Sequence, residues 1–166
     1  MATRLGTVAV SALGLQLLVV FAGLGDLTDV RRGLFVCSYL LLIVFVLANL
    51  RRPGIAVIGV GLVLNFLAIV SNGGLMPVTP EALDRVGPPP TEIELGEPVP
   101  LTKDVLLARE DTRLWPLTDI LTWENPTNIQ LFSVGDLFIA AGLALTLAEL
   151  LLPRLRRVPP DSPSLA

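Results

Sequence analysis

The chain has 166 residues, of which 52% are hydrophobic and 16% charged, with a formal net charge of −3 and a mean hydropathy of +0.72. A soluble domain of this length needs polar side chains over most of its surface, and this composition cannot supply them; nor does it offer a basic face for nucleic acid. One cysteine, Cys37, and no histidine exclude an internal disulfide, zinc-peptidase motifs and histidine-based triads, so no metal or cofactor is expected.

A membrane span needs about 20 predominantly apolar residues. Four stretches qualify in chain order: 5–24, 33–50, 54–71 and 131–152. None alternates with the 3.6-residue period of a soluble amphipathic helix. The fold class expected is an all-α membrane protein with four transmembrane helices, forming a single membrane domain over 1–166. The run that follows "MATR" and ends in "VFA" also fits a cleavable signal peptide, which would leave three spans.

Arginines set the orientation. Arg4 precedes the first span, Arg51 and Arg52 join the second and third, and Arg154, Arg156 and Arg157 follow the fourth. These six fall on one side, which predicts both termini in the cytoplasm and a cytoplasmic tail over 153–166. Arg31 and Arg32, in the first outside loop, run against that rule.

The long segment 72–130 carries ten acids and four bases and is expected outside. Its first part, with "GPPP" at Gly87 to Pro90, reads as extended or turned chain, because proline removes a donor and clashes with a preceding helical turn; 81–98 reads as a solvated linker. Its second part, "LTKDVLLAREDTRLWPLTDILTW", is too apolar for a linker and holds both tryptophans. One or two short interfacial helices are expected there, with Thr102 or Asp104 capping the first and Pro116 in the first turn of the second.

A few polar residues need a reason. Asp136, in "LFSVGD", lies about five residues into the fourth span, where a charge at the bilayer centre costs roughly 2.5–3.5 kcal/mol. It either caps the true helix start, with Ser133 as the boundary, or lines a polar cavity beside Gly135. Asn65 and Asn72 share a face of the third span, two turns apart. Asn65 reads as interhelical glue. "NGGLMP", with Asn72, Gly73, Gly74 and Pro77, reads as the exit from that span, since the amide and glycines tolerate left-handed backbone. Asn72, Thr118, Asp119 and Asp136 are placed on one face and are expected to converge on an outward-facing pocket.

The strings "NGGLMPVTPEAL", "LLAREDTRLWPLTDIL" and "LFSVGDLFIAAG", in that order, resemble a bacterial multi-pass membrane family classed only as a domain of unknown function. The resemblance covers roughly 62–145 and implies a bacterial plasma-membrane location with no assigned activity. A weaker similarity, at "FSVGD", is to lipoprotein signal peptidase, a four-span aspartyl hydrolase. Phe132 and Asp136 stand in the places of its F-N-x-A-D pattern, Ser133 and Gly135 depart from it, and its G-N-x-x-D-R string is missing.

The leading expectation is a membrane protein that binds a lipid, a small apolar ligand, a partner membrane protein or a second copy of itself at the pocket. An intramembrane hydrolase or lipid-modifying enzyme using Asp136 with Asp119 is the alternative, since such chemistry needs two close carboxylates. A transporter or channel would need an oligomer to line a pore.

Overall fold

The computed structural model describes residues 5–21, 27–87, 93–125 and 128–155. Four long helices dominate: α1 (Gly6–Phe21), α2 (Thr28–Asn49), α3 (Pro53–Ser71) and α5 (Val134–Leu155), with a short α4 (Pro80–Val86) between the last two. Three of them, Thr28–Asn49, Pro53–Ser71 and Val134–Leu151, are long and apolar enough to cross a membrane. The fourth expected span is shorter here: α1 has 16 residues, about 24 Å at 1.5 Å per residue, and 22–24 lie outside the described residues. The tail over 156–166 and its arginines also lie outside them.

Helix α3 is the centre of the bundle. It packs on α5 along its length and on α2 across another face, while α1 packs on α2. Close approach of α3 and α5 is made by glycines seven residues apart on each helix. Gly54 faces Gly142 and Gly61 faces Gly135, so the helices run antiparallel. A Cβ on Gly142 would lie 2.6 Å from the Gly54 carbonyl oxygen, and one on Gly61 2.9 Å from the Ile139 nitrogen. Without a hydrophobic drive between helices in lipid, such backbone contact is what small residues provide. The packed interior runs through Phe35, Tyr39, Val46, Ile55, Leu62 and Ile69. Outward, Val10, Leu17, Leu47, Val60, Leu143 and Leu150 stand exposed, an apolar band around all four long helices.

Both acids of α5 are used at helix ends. Glu149 accepts from the Gly54 backbone N–H at 3.1 Å, which caps α3, whose first residue is Pro53. Asp136 caps α5 itself, as described below.

The segment between α3 and α5 folds into a cap at one end of the bundle, and here several expectations are corrected. "NGGLMP" first closes α3. Gly73 and Gly74 have φ of 85° and 99°, and the Gly74 N–H reaches back to the Ile69 carbonyl at 2.8 Å, the six-to-one bond of a glycine C-cap. It then runs directly into a buried strand, β1 (Met76–Val78), which pairs in parallel with β2 (Asp104–Leu106). Met76 donates to the Lys103 carbonyl and Val78 accepts from Leu107. Pro77 between them faces away from β2, where its missing N–H costs nothing.

The expected linker over 81–98 instead begins with α4, capped by Thr79, whose hydroxyl accepts from Ala82 N–H at 3.4 Å. Gly96 to Val99 then lies against β2 in antiparallel fashion. Val78, Ala82, Val99 and Leu106 form a second small core beneath α4. The short helices expected over 101–123 are replaced by strand β2 and two 3-10 turns, Arg109–Asp111 and Trp115–Leu117. Thr102 and Asp104 therefore cap no helix: the Thr102 hydroxyl accepts from the Asp104 N–H at 3.0 Å in a tight turn. Pro116 does sit in the first turn of the second 3-10 element. Residues expected to open the fourth span belong to a hairpin, β3 (Leu121–Asn125) with β4 (Asn128–Phe132), and α5 starts only at Val134.

Candidate functional site

The cap is tied to the bundle by polar side chains that the helices hold out at their ends. Ser133 precedes α5. Its hydroxyl accepts from the Asp136 N–H at 3.1 Å, and Asp136 Oδ2 accepts from the Ser133 N–H at 3.0 Å. This is a reciprocal capping box. Asn65 of α3 joins it from the side: its Nδ2 donates to Asp136 Oδ1 at 2.8 Å, and its Oδ1 accepts from the Ser133 hydroxyl at 2.7 Å. Gly135 lets Asn65 in, since a Cβ there would stand 2.6 Å from Asn65 Cγ and 2.7 Å from the Gly61 carbonyl oxygen. Asn65 and Ser133 are fully buried.

Asn72 makes a separate staple. Its amide donates to the Ala68 and Arg113 carbonyls at 2.7 and 2.8 Å, and its Oδ1 accepts from the Arg113 N–H at 2.8 Å. Gly73 is exposed, with open space around its Cα, whereas Gly74 is buried and packs on Arg32. Arg31 is buried within α2. Its guanidinium donates to the Thr102 carbonyl and, at 3.4 Å, to that of Val99. The two arginines that stood against the charge rule thus belong to α2, and one of them clamps the cap.

Thr118 and Asp119 are both buried. The Thr118 hydroxyl closes the 3-10 turn by donating to Trp115 O at 2.8 Å. Asp119 pairs with Lys103, whose Nζ lies 2.5 Å from Asp119 Oδ2 and 3.8 Å from Asp104 Oδ1. Asp119 Oδ1 and Asp104 Oδ1 have no hydrogen-bond partner. Burial raises the Asp119 carboxyl to about 6 against the opposing attraction of Lys103. Asp104 is raised for the same reason, with Lys103 again opposing. Burial works to lower Lys103, but the carboxylates of Asp119 and Asp104 outweigh it and hold the ammonium protonated.

These three charged side chains stand at one end of a cleft of about 550 Å³, well inside the 300–1,000 Å³ range of small-molecule sites. Helix α1 supplies Leu13, Gln16, Leu17 and Val20 to its wall; α2 supplies Phe35 and Tyr39; Leu131 closes the side towards β4. Among the described residues, no group of three or more potential ligands is placed to hold a metal ion.

The residues singled out in the sequence therefore fall into three groups. Asn65, Ser133, Gly135 and Asp136 form one closed network. Asn72 with the 113 loop forms another. Asp119 alone of the candidates lines the cleft. Asp136 and Asp119 share no hydrogen bond: each carboxylate has other partners. Lys103 and Asp104 were missed as site residues. Their signal was the adjacent pair "KD" inside an otherwise apolar stretch.

Three helices of spanning length and apolarity, capped by a polar segment, define the class as membrane protein. The chain belongs to the family of unknown function DUF5317, whose model matches residues 3–148. No curated protein and no solved structure matches it.

Proposed function

We propose that this is a multi-pass protein of a bacterial plasma membrane that binds one small amphiphile in the cleft between α1, α2 and the cap. The observation that carries the reading is the composition of that cleft. One end is built from leucines, valine and aromatic rings of two helices, the other from Lys103, Asp104 and Asp119. A soluble metabolite has no use for the first end, and a bilayer chain alone has no use for the second.

In this reading α1 also spans, so that four helices cross and both termini are cytoplasmic. The cap then lies outside, where Leu95, Leu101 and Trp123, all exposed, meet the headgroup region. Asn65 and Asp136 act as structure, and the binding site shifts from the expected Asn72–Asp136 face to the Lys103–Asp119 cleft.

The test is native mass spectrometry of the full chain extracted gently from its own membranes. The expected result is a stoichiometric small adduct that is lost in Leu17→Trp, which fills the cleft from α1. No adduct, or one indifferent to that substitution, refutes the reading. A protein partner in its place would make this an accessory subunit.

A further inference from the structure

We infer that the amphiphile bound in this cleft carries one apolar tail and a cationic, hydrogen-bond-donating head of the amine class, not a phosphate. The inference rests on the amphiphile reading above and deepens it. Three observations support it.

The first is the supply of free acceptors. Lys103 spends its strong bond on Asp119 Oδ2. Asp119 Oδ1 and Asp104 Oδ1 are buried without a hydrogen-bond partner, and Asp119 as a whole is 2% exposed. Buried acceptors without donors are costly, and each is relieved by a ligand N–H.

The second is the sign of the local charge. The groups that act on the two carboxylates are Lys103, Arg31 and Asp136. Of the charged groups that line the cleft, one is a cation, Lys103, and two are carboxylates, Asp104 and Asp119. Arg31 lies outside the lining and donates from Nη2 to the carbonyls of Val99 and Thr102, while its Nε has no partner. An incoming phosphate meets an excess of like charge, whereas an ammonium completes the set.

The third is the shape. The apolar walls come from one face of α1 and the adjoining face of α2, and Leu13 and Leu17 are themselves exposed. The tail therefore lies between two helices at the edge of the bundle and its head lies under the cap.

The experiment uses the full chain in phosphatidylcholine nanodiscs at pH 7.5, with bound ligand counted by native mass spectrometry. Dodecylamine, dodecyl phosphate and butylamine are the probes, and Leu17→Trp sets the background. The expected result is one dodecylamine per chain, with occupancy at least tenfold above dodecyl phosphate and above butylamine. Asp119→Asn is expected to cut the amine-over-phosphate ratio about tenfold, as loss of one charge-assisted bond does. Asp104→Asn serves the same purpose if that variant does not fold. Dodecyl phosphate binding as well as the amine would overturn the head-group inference while leaving the amphiphile reading intact. Butylamine binding as well as dodecylamine would overturn the tail. No probe bound above the Leu17→Trp level would remove the amphiphile reading itself, and the inference with it.

Discussion

The Asn65 side chain donates to Asp136 at 2.8 Å and accepts from Ser133 at 2.7 Å, so one amide on α3 closes both halves of the capping box that starts α5. The carboxylate near the start of α5 is thereby satisfied from two directions. Removing the amide leaves Asp136 Oδ1 without its donor and the Ser133 O–H without its acceptor in a closed site. Asn65→Leu is expected to cost about 1–3 kcal/mol, the penalty of an orphaned buried polar group. Thermal unfolding in lipid nanodiscs would show it. An unchanged midpoint would mean that water or another side chain replaces the amide.

The glycines of the α3–α5 seam predict a contrast within one residue type. Gly61→Ala and Gly135→Ala would each drive a methyl into opposing backbone, and overpacking of this kind costs typically about 1–3 kcal/mol. Gly14→Ala and Gly33→Ala meet open space and should be neutral, or stabilising by about 0.5–1 kcal/mol through helix propensity. The same unfolding measurement ranks all four. Equal effects would mean that the seam is not in contact.

Arg31 predicts a local effect instead of a global one. Arg31→Met deletes the guanidinium bonds to the Val99 and Thr102 carbonyls, worth about 1.5–3 kcal/mol for a charged donor. Amide hydrogen exchange should quicken over Gly96 to Leu106, where that turn pairs with β2, and stay slow in α3. Uniform change across the chain would contradict the clamp.

Asp119 predicts a pH dependence with a definite sign. Burial raises its carboxyl in the folded state to about 6, above the ordinary 3.9 of an unfolded aspartate. The folded chain therefore holds the extra proton between those values, and the contribution of this group to stability falls as pH rises from about 4 through 6. Lys103, Asp104, Asp136 and Arg31 all act on this region, so the isolating measurement is a difference. The unfolding midpoint of Asp119→Asn relative to the unsubstituted protein should rise between pH 4 and pH 7. A difference that stays flat, or falls, would show that the ion pair with Lys103 dominates.

Orientation is open to direct labelling. In a Cys37→Ser background, a cysteine at Gly96 should react with a membrane-impermeant maleimide on intact cells. A cysteine at Arg51 should react only after permeabilisation. The reverse pattern would invert the protein.

The long apolar helices were legible because a run of apolar residues carries its own signal. Ser133 and Asp136 were legible as one of two readings, since a serine three residues before an acid is a local pattern. The strands were not. "MPV" and "DVL" are three residues each, too short for alternation to register, and each finds its partner only through pairing at a distance in sequence. The seam glycines carry no spacing-of-four signal, because they repeat at seven, Gly54 to Gly61 and Gly135 to Gly142. That spacing gains meaning only once α3 and α5 are known to be neighbours. The Lys103 cluster was hidden for the same reason: Asp119 reaches it across a strand and two 3-10 turns.

The pairing of α3 with α5 bears on how the protein is made. Chain order puts α3 out of the ribosome before the whole cap, and α5 after it. Until α5 arrives, the Gly54–Gly61 face lacks its partner glycines, Asn65 lacks Ser133 and Asp136, and the Gly54 N–H awaits Glu149. The seam is therefore the last joint between long helices that can close, and it closes only after the whole cap has been made. Defects in the cap should thus be felt during assembly, as chains with an unmated helix that quality-control proteases can recognise, before they are felt as any loss of binding.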